Sequence, residues 1–187
     1  MLGALEKLEV ITSENMPKEG AAILAANHLS FYDGFVLQYA IQRQLFFMSK
    51  AEAFQNPIYM FVMYQMGAFP VQRGKFDRMA LLQARRVIKA GQVLGMFPEG
   101  TRSYGKGLKS GKTGVAHLAL RLNCPIVPVA IDGAQHIVKK LFRRAQVTIK
   151  VCQPIYPQID IKAADLTEMI MKTLAANLPI ELRGIYA

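Results

Sequence analysis

The residues best suited to chemistry in this sequence are a histidine and an aspartate five positions apart, His28 and Asp33. They lie in the stretch 27–33, Asn-His-Leu-Ser-Phe-Tyr-Asp, directly after the apolar run 21–26. Such a run is typical of a buried strand, and a chain that folds back after it can bring the carboxylate against the imidazole. That pairing fixes one ring tautomer and raises the basicity of the free nitrogen, as a general base requires. The spacing therefore predicts a histidine base where a strand meets a helix, a common place for chemistry in α/β proteins.

The same stretch also has a purely structural interpretation. Ser30 and Asp33 fit a variant capping box, with Ser30 as the N-cap and Asp33 in the first helical turn, where the helix dipole favours a carboxylate. His28 would then be a structural histidine at a strand end. The stretch alone leaves both interpretations open.

An arginine beside a glycine is a candidate phosphate ligand. Arg73 follows the apolar segment 67–72 and precedes Gly74. An arginine at a strand end can hold a phosphate with two hydrogen bonds while the glycine lets the backbone come close. The alternative is a solvated surface arginine, which is the common case.

A second candidate phosphate site is the stretch 97–103, Phe-Pro-Glu-Gly-Thr-Arg-Ser. A strand delivers this stretch to a tight turn whose amides can form an anion-binding nest. Arg102 adds positive charge and Thr101 a hydroxyl donor. Glu99 would repel a phosphate at contact distance, so we expect it to orient an arginine or to accept from a substrate hydroxyl. The alternative is an ordinary turn between a strand and a helix.

Composition favours one domain with an anionic partner. The chain has 187 residues, which is enough for a single self-sufficient core. Its net charge is +10, which indicates nucleic acid, phosphorylated metabolites or an acidic membrane surface. Nucleic acid is disfavoured because the aromatic residues do not interleave with the basic ones as a stacking platform would. Cys124 and Cys152 lack metal-ligand spacing and are interpreted as buried thiols in a reducing compartment.

Apolar strands alternate with helices along the chain, which predicts a single α/β domain over 1–187 with a central, largely parallel but mixed sheet flanked by helices. The predicted strands are 8–11, 21–26, 45–48, 69–72, 93–97, 126–131 and 147–151. The predicted helices are 34–44, 57–66, 77–90, 113–122, 135–144 and 163–178. Pro128 indicates that its strand lies at an edge or contains a bulge.

One uncharged stretch, 53–72, is about as long as a membrane span. Pro57, Gly67 and Pro70 interrupt it, so we expect no transmembrane helix but a helix over 57–66 with proline in its first turn. That helix either lies on a membrane surface or packs into the core. No signal peptide is expected, because the N-terminus lacks a basic region ahead of an apolar one.

Four stretches in order carry a family resemblance: Asn-His-x-Ser-x-x-Asp, Gly-x-Phe-Pro-Val-x-Arg-Gly, Phe-Pro-Glu-Gly-Thr-Arg-Ser and Val-Pro-Val-Ala-Ile. Together they resemble the motif blocks of the glycerolipid acyltransferase family, and most of all its 1-acyl-glycerol-3-phosphate acyltransferases. The resemblance covers about 8–157, with the helix 163–178 beyond it. It implies a glycerol-3-phosphate acyltransferase-like fold.

The resemblance implies acyl transfer from acyl-CoA or acyl carrier protein to a lysophospholipid acceptor in phospholipid biosynthesis, with no further cofactor and no metal. His28 would be the base and Asp33 its partner. By the same resemblance the acceptor's phosphate and glycerol would be bound by Arg73, Glu99, Gly100, Thr101 and Arg102. The fourth block, 127–131, would line or back the acyl-donor pocket. No Gly-x-Ser-x-Gly nucleophile elbow is present, so direct transfer is expected.

Family members often carry N-terminal helices that bind the membrane, whereas this chain starts close to its first predicted strand. We therefore expect peripheral docking to the cytoplasmic face of an anionic membrane through the helix 57–66 and the basic helix 135–144. Another hydroxyl acceptor stays open within the same family. Three alternatives from other classes also remain: a His-Asp phosphoester hydrolase, a nucleic-acid binder, which the aromatic pattern disfavours, and a lipid-binding module without activity, which the presence of both His28 and Asp33 disfavours.

Overall fold

The computed structural model describes residues 5–72, 77–137, 145–158 and 160–187. These residues form a seven-stranded sheet in the order β1-β7-β6-β2-β5-β3-β4. The strands are β1 (Leu5–Ile11), β2 (Ala22–Ala26), β3 (Leu45–Lys50), β4 (Ala68–Val71), β5 (Val93–Met96), β6 (Ile126–Asp132) and β7 (Ala145–Val151). Within the described ranges β6 and β7 pair antiparallel and the other neighbours pair parallel. The expected mixed, largely parallel α/β sheet is confirmed.

Five α-helices of the described residues cover the two faces of this sheet: α1 (Asp33–Ala40), α2 (Pro57–Gln65), α3 (Arg78–Lys89), α4 (Gly114–Leu122) and α5 (Ala163–Ala176). The apolar side chains separate into two core clusters. One cluster joins the sheet to α1 and α2, and the other joins it to α3, α4 and α5. The result is a three-layer arrangement with the sheet in the middle.

The strand β2 shows why the sheet lies in the centre. All five of its residues are fully buried, and they alternate between the two core clusters, as strand geometry requires. Leu24 faces the α1 and α2 side, whereas Ile23 faces the α3 to α5 side. The strand lies between β6 and β5 near the middle of the sheet, so its C-terminal end opens where flanking loops can build a site.

A capping side chain, a glycine and a proline mark the ends of two helices, α3 and α2. Asp77 caps α3 by accepting the backbone N–H of Ala80 at 3.0 Å, and Gly91 follows the helix in the left-handed conformation with φ +69°. Pro57 occupies the first turn of α2, as expected. Within the described residues, no helix has both the length and the apolar character needed to cross a membrane.

Three predictions of secondary structure need correction. The first helix ends at Ala40 and does not reach 44, because the buried Ile41 adopts an extended conformation that continues toward β3. The first strand starts earlier than expected, at Leu5. In place of the start of the basic helix 135–144 there is a short 3₁₀ turn over Ala134–His136, and 138–144 lie outside the described residues.

Pro128 lies in an interior strand, so the suggestion of an edge is wrong, and the irregular pairing beside it places the extra residue in the segment opposite β6. Between the Val129–Val151 pair and the Ile126–Ile155 bridge, two residues on the β6 side face three on the other. The carbonyl of Pro128 accepts the backbone N–H of Cys152 there at 2.9 Å. The irregular pairing removes the need for the N–H that proline lacks.

Candidate active site

His28 lies just beyond the C-terminal end of β2, and its imidazole meets Asp33 as the spacing predicted. The ring nitrogen Nδ1 is 2.7 Å from the carboxylate oxygen Oδ2 of Asp33. This contact makes Nδ1 the protonated nitrogen of a neutral ring and leaves Nε2 to act toward a substrate. The side chain of His28 retains 12% of its exposure, so the ring is accessible but largely held in place.

Asp33 does more than orient the imidazole. It is fully buried at the start of α1, and its Oδ2 also accepts the backbone N–H groups of Leu29 and Ser30 at 2.7 and 2.9 Å. The hydroxyl of Ser30 donates to the other oxygen at 3.1 Å. Ser30 is not the N-cap of α1, because Tyr32 takes that position. The carboxylate of Asp33 therefore has both roles: it orients the imidazole of His28, and it holds the loop that precedes α1.

Glu99 is buried behind His28 and does not face open space. It is 2% exposed, and its two oxygens accept the backbone N–H groups of His28 at 2.8 Å and Lys109 at 3.0 Å. Burial raises the pKa of the Glu99 carboxyl above its ordinary value, although the hydrogen bonds from His28 and Lys109 oppose the shift. These contacts connect the end of β2 to the loop that follows β5, and neither of the two roles that we expected for this side chain is visible in them.

The rest of this loop presents its polar groups beside His28. Thr101 and Arg102 both line the cavity that contains the imidazole, and the guanidinium of Arg102 lies over the ring of Phe31 at 5.5 Å. Gly100 adopts a left-handed conformation with φ +67°, and a Cβ there would lie 3.1 Å from the side chain of Lys112. Arg73, the other expected phosphate ligand, lies outside the described residues.

The cavity beside His28 has a volume of about 290 Å³, and its walls combine apolar and aromatic side chains with polar ones such as Lys50, Thr101 and Arg102. It extends under α1 and α2, where Phe35, Tyr59, Met63 and Met66 form its walls. The fourth motif block does not line it, because Val127 to Ile131 are fully or almost fully buried in β6. That block backs the site, and only residues from Asp132 onward reach a second cavity of about 850 Å³ that also includes Arg102.

Two residues that contribute to the site were not singled out from the sequence. The ring of Phe97 stacks on the imidazole of His28, with centroids 4.0 Å apart and planes 14° from parallel. Asn27 is fully buried and joins β2 to β6 through its side-chain amide. The sequence signal that could have indicated Asn27 is an asparagine at the end of an apolar run, directly before a catalytic candidate. The stacking of Phe97 has no such signal, because it depends on β2 and β5 being neighbours.

These features define an α/β protein with a histidine–carboxylate pair and an adjoining arginine at the C-terminal edge of its sheet. Comparison with known proteins identifies the group. The family model described as Acyltransferase matches residues 7–132. The chain therefore belongs to the acyltransferase family, and at that level the expectation of an O-acyltransferase is confirmed.

Three relatives and one solved structure show the same similarity. The chain is 28% identical to the 1-acyl-sn-glycerol-3-phosphate acyltransferase of Bacillus subtilis, over 80% of this chain and 74% of the relative. A protein of the same name from Chlamydomonas reinhardtii is 31% identical over 95% of this chain and 55% of the relative. The protein of that name from Borreliella burgdorferi is 26% identical over 83% of this chain and 62% of the relative.

The crystal structure of the 1-acyl-sn-glycerophosphate acyltransferase of Thermotoga maritima superimposes with a TM-score of 0.75 at 27% identity. The match covers 91% of this chain and 70% of that one. The acyltransferase-like fold implied by the motif blocks is thus confirmed. The chain spans between 55% and 74% of the length of the three sequence relatives.

Proposed function

We propose that this protein transfers a fatty acyl group from a thioester, acyl-CoA or acyl carrier protein, to the free hydroxyl of 1-acyl-glycerol 3-phosphate, which yields phosphatidic acid for phospholipid biosynthesis. The observation that carries the proposal is the 2.7 Å contact between His28 Nδ1 and Asp33, with the second ring nitrogen left for a substrate. The relatives named above support the choice of acceptor.

The proposed reaction needs one base and no cofactor. Nε2 of His28 takes the proton of the acceptor hydroxyl as its oxygen attacks the thioester carbonyl. The tetrahedral intermediate then collapses, the carbon–sulfur bond breaks, and the imidazolium returns the proton to the leaving thiolate. Asp33 keeps the imidazole in the reactive tautomer and stabilises its charged form. The thioester and the hydroxyl are thus converted into an oxygen ester and a free thiol, and no other reactant is consumed.

The charge around His28 supports a phosphorylated acceptor. Arg102 lies at the cavity wall, and no ion pair joins it to a carboxylate in the ranges that the structure describes. We assign the acceptor's phosphate to Arg102 and Arg73, with Gly100 and Thr101 beside its glycerol. Glu99 acts from behind by holding the backbone of His28. The apolar and aromatic part of this cavity, which lies under α1 and α2, would receive a hydrocarbon chain.

The test combines lysophosphatidate and acyl-CoA with the protein and follows the release of free CoA thiol and of inorganic phosphate. We expect thiol release in wild type and a loss of about 10²- to 10⁴-fold in His28→Ala. His117→Ala is the matched control, because His117 is exposed on α4 and has no assigned role. Release of phosphate without thiol would replace the proposal with a phosphoester hydrolase, and a panel of other hydroxyl acceptors would reveal a different acyl acceptor.

We also propose that the enzyme acts as a peripheral protein on the cytoplasmic face of an anionic membrane, with α2 as its docking element. Two apolar residues at this helix, Val62 and Met66, pack against the core. Ile58 and Phe61 instead remain 76% and 64% exposed, and Tyr59 and Tyr64 are also exposed. A cluster of this kind on a helix without charges is characteristic of an interaction surface.

A lipid surface is the occupant that fits α2 best. The helix contributes Tyr59 and Met63 to the wall of the cavity beside His28, so an acyl chain leaving the bilayer would meet the site directly. Tyrosines on this surface suit the interface between headgroups and acyl chains. The net charge of +10 adds attraction to anionic lipids. Free thiols at Cys124 and Cys152 suit the reducing cytoplasmic side.

Vesicle sedimentation with and without anionic lipid tests this surface. Replacing Ile58 with serine should weaken binding by about tenfold, because one large apolar side chain loses its burial. Ile180→Ser is the matched control, since Ile180 is 70% exposed but follows α5 on the other side of the sheet. Equal binding of both variants would exclude α2. Unchanged turnover of a water-soluble short-chain acceptor would separate docking from catalysis.

A further inference from the structure

The imidazole of His28 is held on its face as well as on its edge. Asp33 contacts the edge through Nδ1, whereas the ring of Phe97 lies almost parallel to the imidazole at a centroid distance of 4.0 Å. Phe97 comes directly after β5, and β5 is the neighbour of β2 in the sheet. The two residues therefore meet because adjacent parallel strands end at the same edge.

A second aromatic ring fixes the position of Phe97. Phe47 of β3 lies behind it with centroids 6.1 Å apart and planes 11° from parallel. Phe47 is buried across from Gly95, its register partner in β5, and a Cβ on that glycine would come within 2.2 Å of the Phe47 ring. The missing side chain at Gly95 thus makes room for the ring that supports Phe97.

The face of an aromatic ring carries a partial negative charge and attracts a cation placed above it. In the proposed reaction the imidazole is neutral before proton transfer and positively charged afterwards, so its attraction to Phe97 grows as the hydroxyl proton arrives. An interaction that is stronger in the transition state than in the ground state accelerates the chemical step.

We propose that Phe97 is a positioning residue whose ring face stabilises the imidazolium of His28 during acyl transfer. This inference depends on the proposed function, because it needs His28 to take a proton. Phe97 also lines the cavity beside His28, and the role proposed here is exerted through the imidazole. A ring that only filled space would support the same geometry but would be insensitive to the charge on its face.

Fluorination of the ring separates these two roles. Fluorine withdraws charge from the ring face while changing the size of the side chain little. We would place phenylalanine with one, two and five fluorines at position 97 by site-specific incorporation and measure kcat and KM for both substrates. The expected result is a stepwise decrease in kcat, roughly two- to thirty-fold for the full series, with KM unchanged.

Position 69 provides the matched control. Phe69 lies in β4, packs against the core cluster on the α3 to α5 side of the sheet, and lines neither of the two cavities described above. The same fluorinated residues at position 69 should leave kcat within about twofold of wild type. Thermal unfolding of every variant would check that the fold is intact. Phe97→Tyr, which keeps the ring face, should retain most of the turnover, and Phe97→Leu, which removes it, should not.

Three results would overturn the proposal. These are a kcat that does not respond to fluorination at position 97, an equal decrease at position 69, and an effect confined to KM. Failure of the proposed function would look different, because wild type would then release no thiol from acyl-CoA or His28→Ala would keep its activity. The inference is tested only against an active wild type, so the two failures are distinguishable.

Discussion

The side-chain amide of Asn27 makes two hydrogen bonds with the backbone of Ile131. Its nitrogen donates to the carbonyl oxygen at 2.8 Å, and its oxygen accepts the N–H at 2.7 Å. Both residues are fully buried, one at the end of β2 and the other near the end of β6. The amide therefore continues the pairing of these strands where the backbone of β2 turns away to present His28.

Replacing Asn27 with aspartate tests this connection. A carboxylate has no N–H to donate, so the carbonyl of Ile131 would lose its partner in a buried place. We expect a loss of about 1–3 kcal/mol in the free energy of unfolding, measured by denaturant titration, and a lower kcat. Asn123→Asp is the control, because Asn123 is exposed in a left-handed conformation that aspartate also tolerates. Equal stability of the two variants would contradict the structural role of Asn27.

Glu99→Gln should disturb catalysis through the backbone of His28. A carboxylate can accept both N–H groups that Glu99 now binds, whereas an amide has one oxygen and would turn its own N–H groups toward the other donor. We expect kcat to decrease while KM for the phosphorylated acceptor changes little. Steady-state kinetics with a varied acceptor would measure this. A selective increase in that KM would instead restore Glu99 to the acceptor site.

Asp33→Asn and His28→Ala should share a kinetic defect but differ in stability. Both remove an oriented base, so each should lower kcat by about 10²- to 10⁴-fold. Asp33 also accepts two backbone N–H groups of the loop, so its replacement should reduce the free energy of unfolding by about 1–3 kcal/mol. His28→Ala should unfold close to wild type. A destabilised His28→Ala with a stable Asp33→Asn would reverse the assignment of roles.

Much of the fold was predictable because the relevant signals are local. The buried run of β2 and the capped, amphipathic pattern of α3 are each contained in a dozen residues or fewer, and the structure confirms both elements. The pairing of His28 with Asp33 was also predictable, since only four residues separate them. The end of α1 was not predictable, because no glycine or proline follows Ala40. The helix ends there because Ile41 packs into the core in an extended conformation.

The contacts of the site that the sequence did not indicate join residues that are distant in the sequence. A glutamate in a glycine-containing turn is normally exposed, and nothing near Glu99 indicates that the amide of His28 lies against it. The amide of Asn27 finds its partner 104 residues away. The stack of Phe97 on His28 exists because β2 and β5 are neighbours. Such pairings follow from strand order, which alternating apolar patterns do not determine.

Arg102→Ala should weaken binding of the phosphorylated acceptor with little change in kcat. A hydrogen bond to a charged group contributes about 1.5–3 kcal/mol, so we expect KM for lysophosphatidate to increase about 10- to 100-fold. KM for acyl-CoA should stay constant, and Arg73→Ala should show the same pattern. Arg121→Ala, an exposed change on α4, is the control. An Arg102→Ala enzyme with wild-type kinetics would remove this side chain from the phosphate site.

The two cysteines should be unreactive in the folded protein. Burial raises the pKa of the Cys124 thiol from 9.0 to about 11, and it also raises the pKa of Cys152. A thiol reagent at pH 8 should therefore modify neither cysteine until denaturant unfolds the chain, when both should react. Rapid modification of the native protein would contradict the burial of these side chains.

The same shifts predict how stability depends on alkaline pH. An unfolded thiol loses its proton near pH 9.0, whereas the folded Cys124 keeps it to about pH 11. The folded state binds more protons across this interval, so the free energy of unfolding should decline as the pH rises above 9. Denaturant titrations at a series of pH values would measure the decline, and Cys124→Ala should make it shallower than in wild type. A decline of unchanged slope in Cys124→Ala would assign the alkaline transition to other groups.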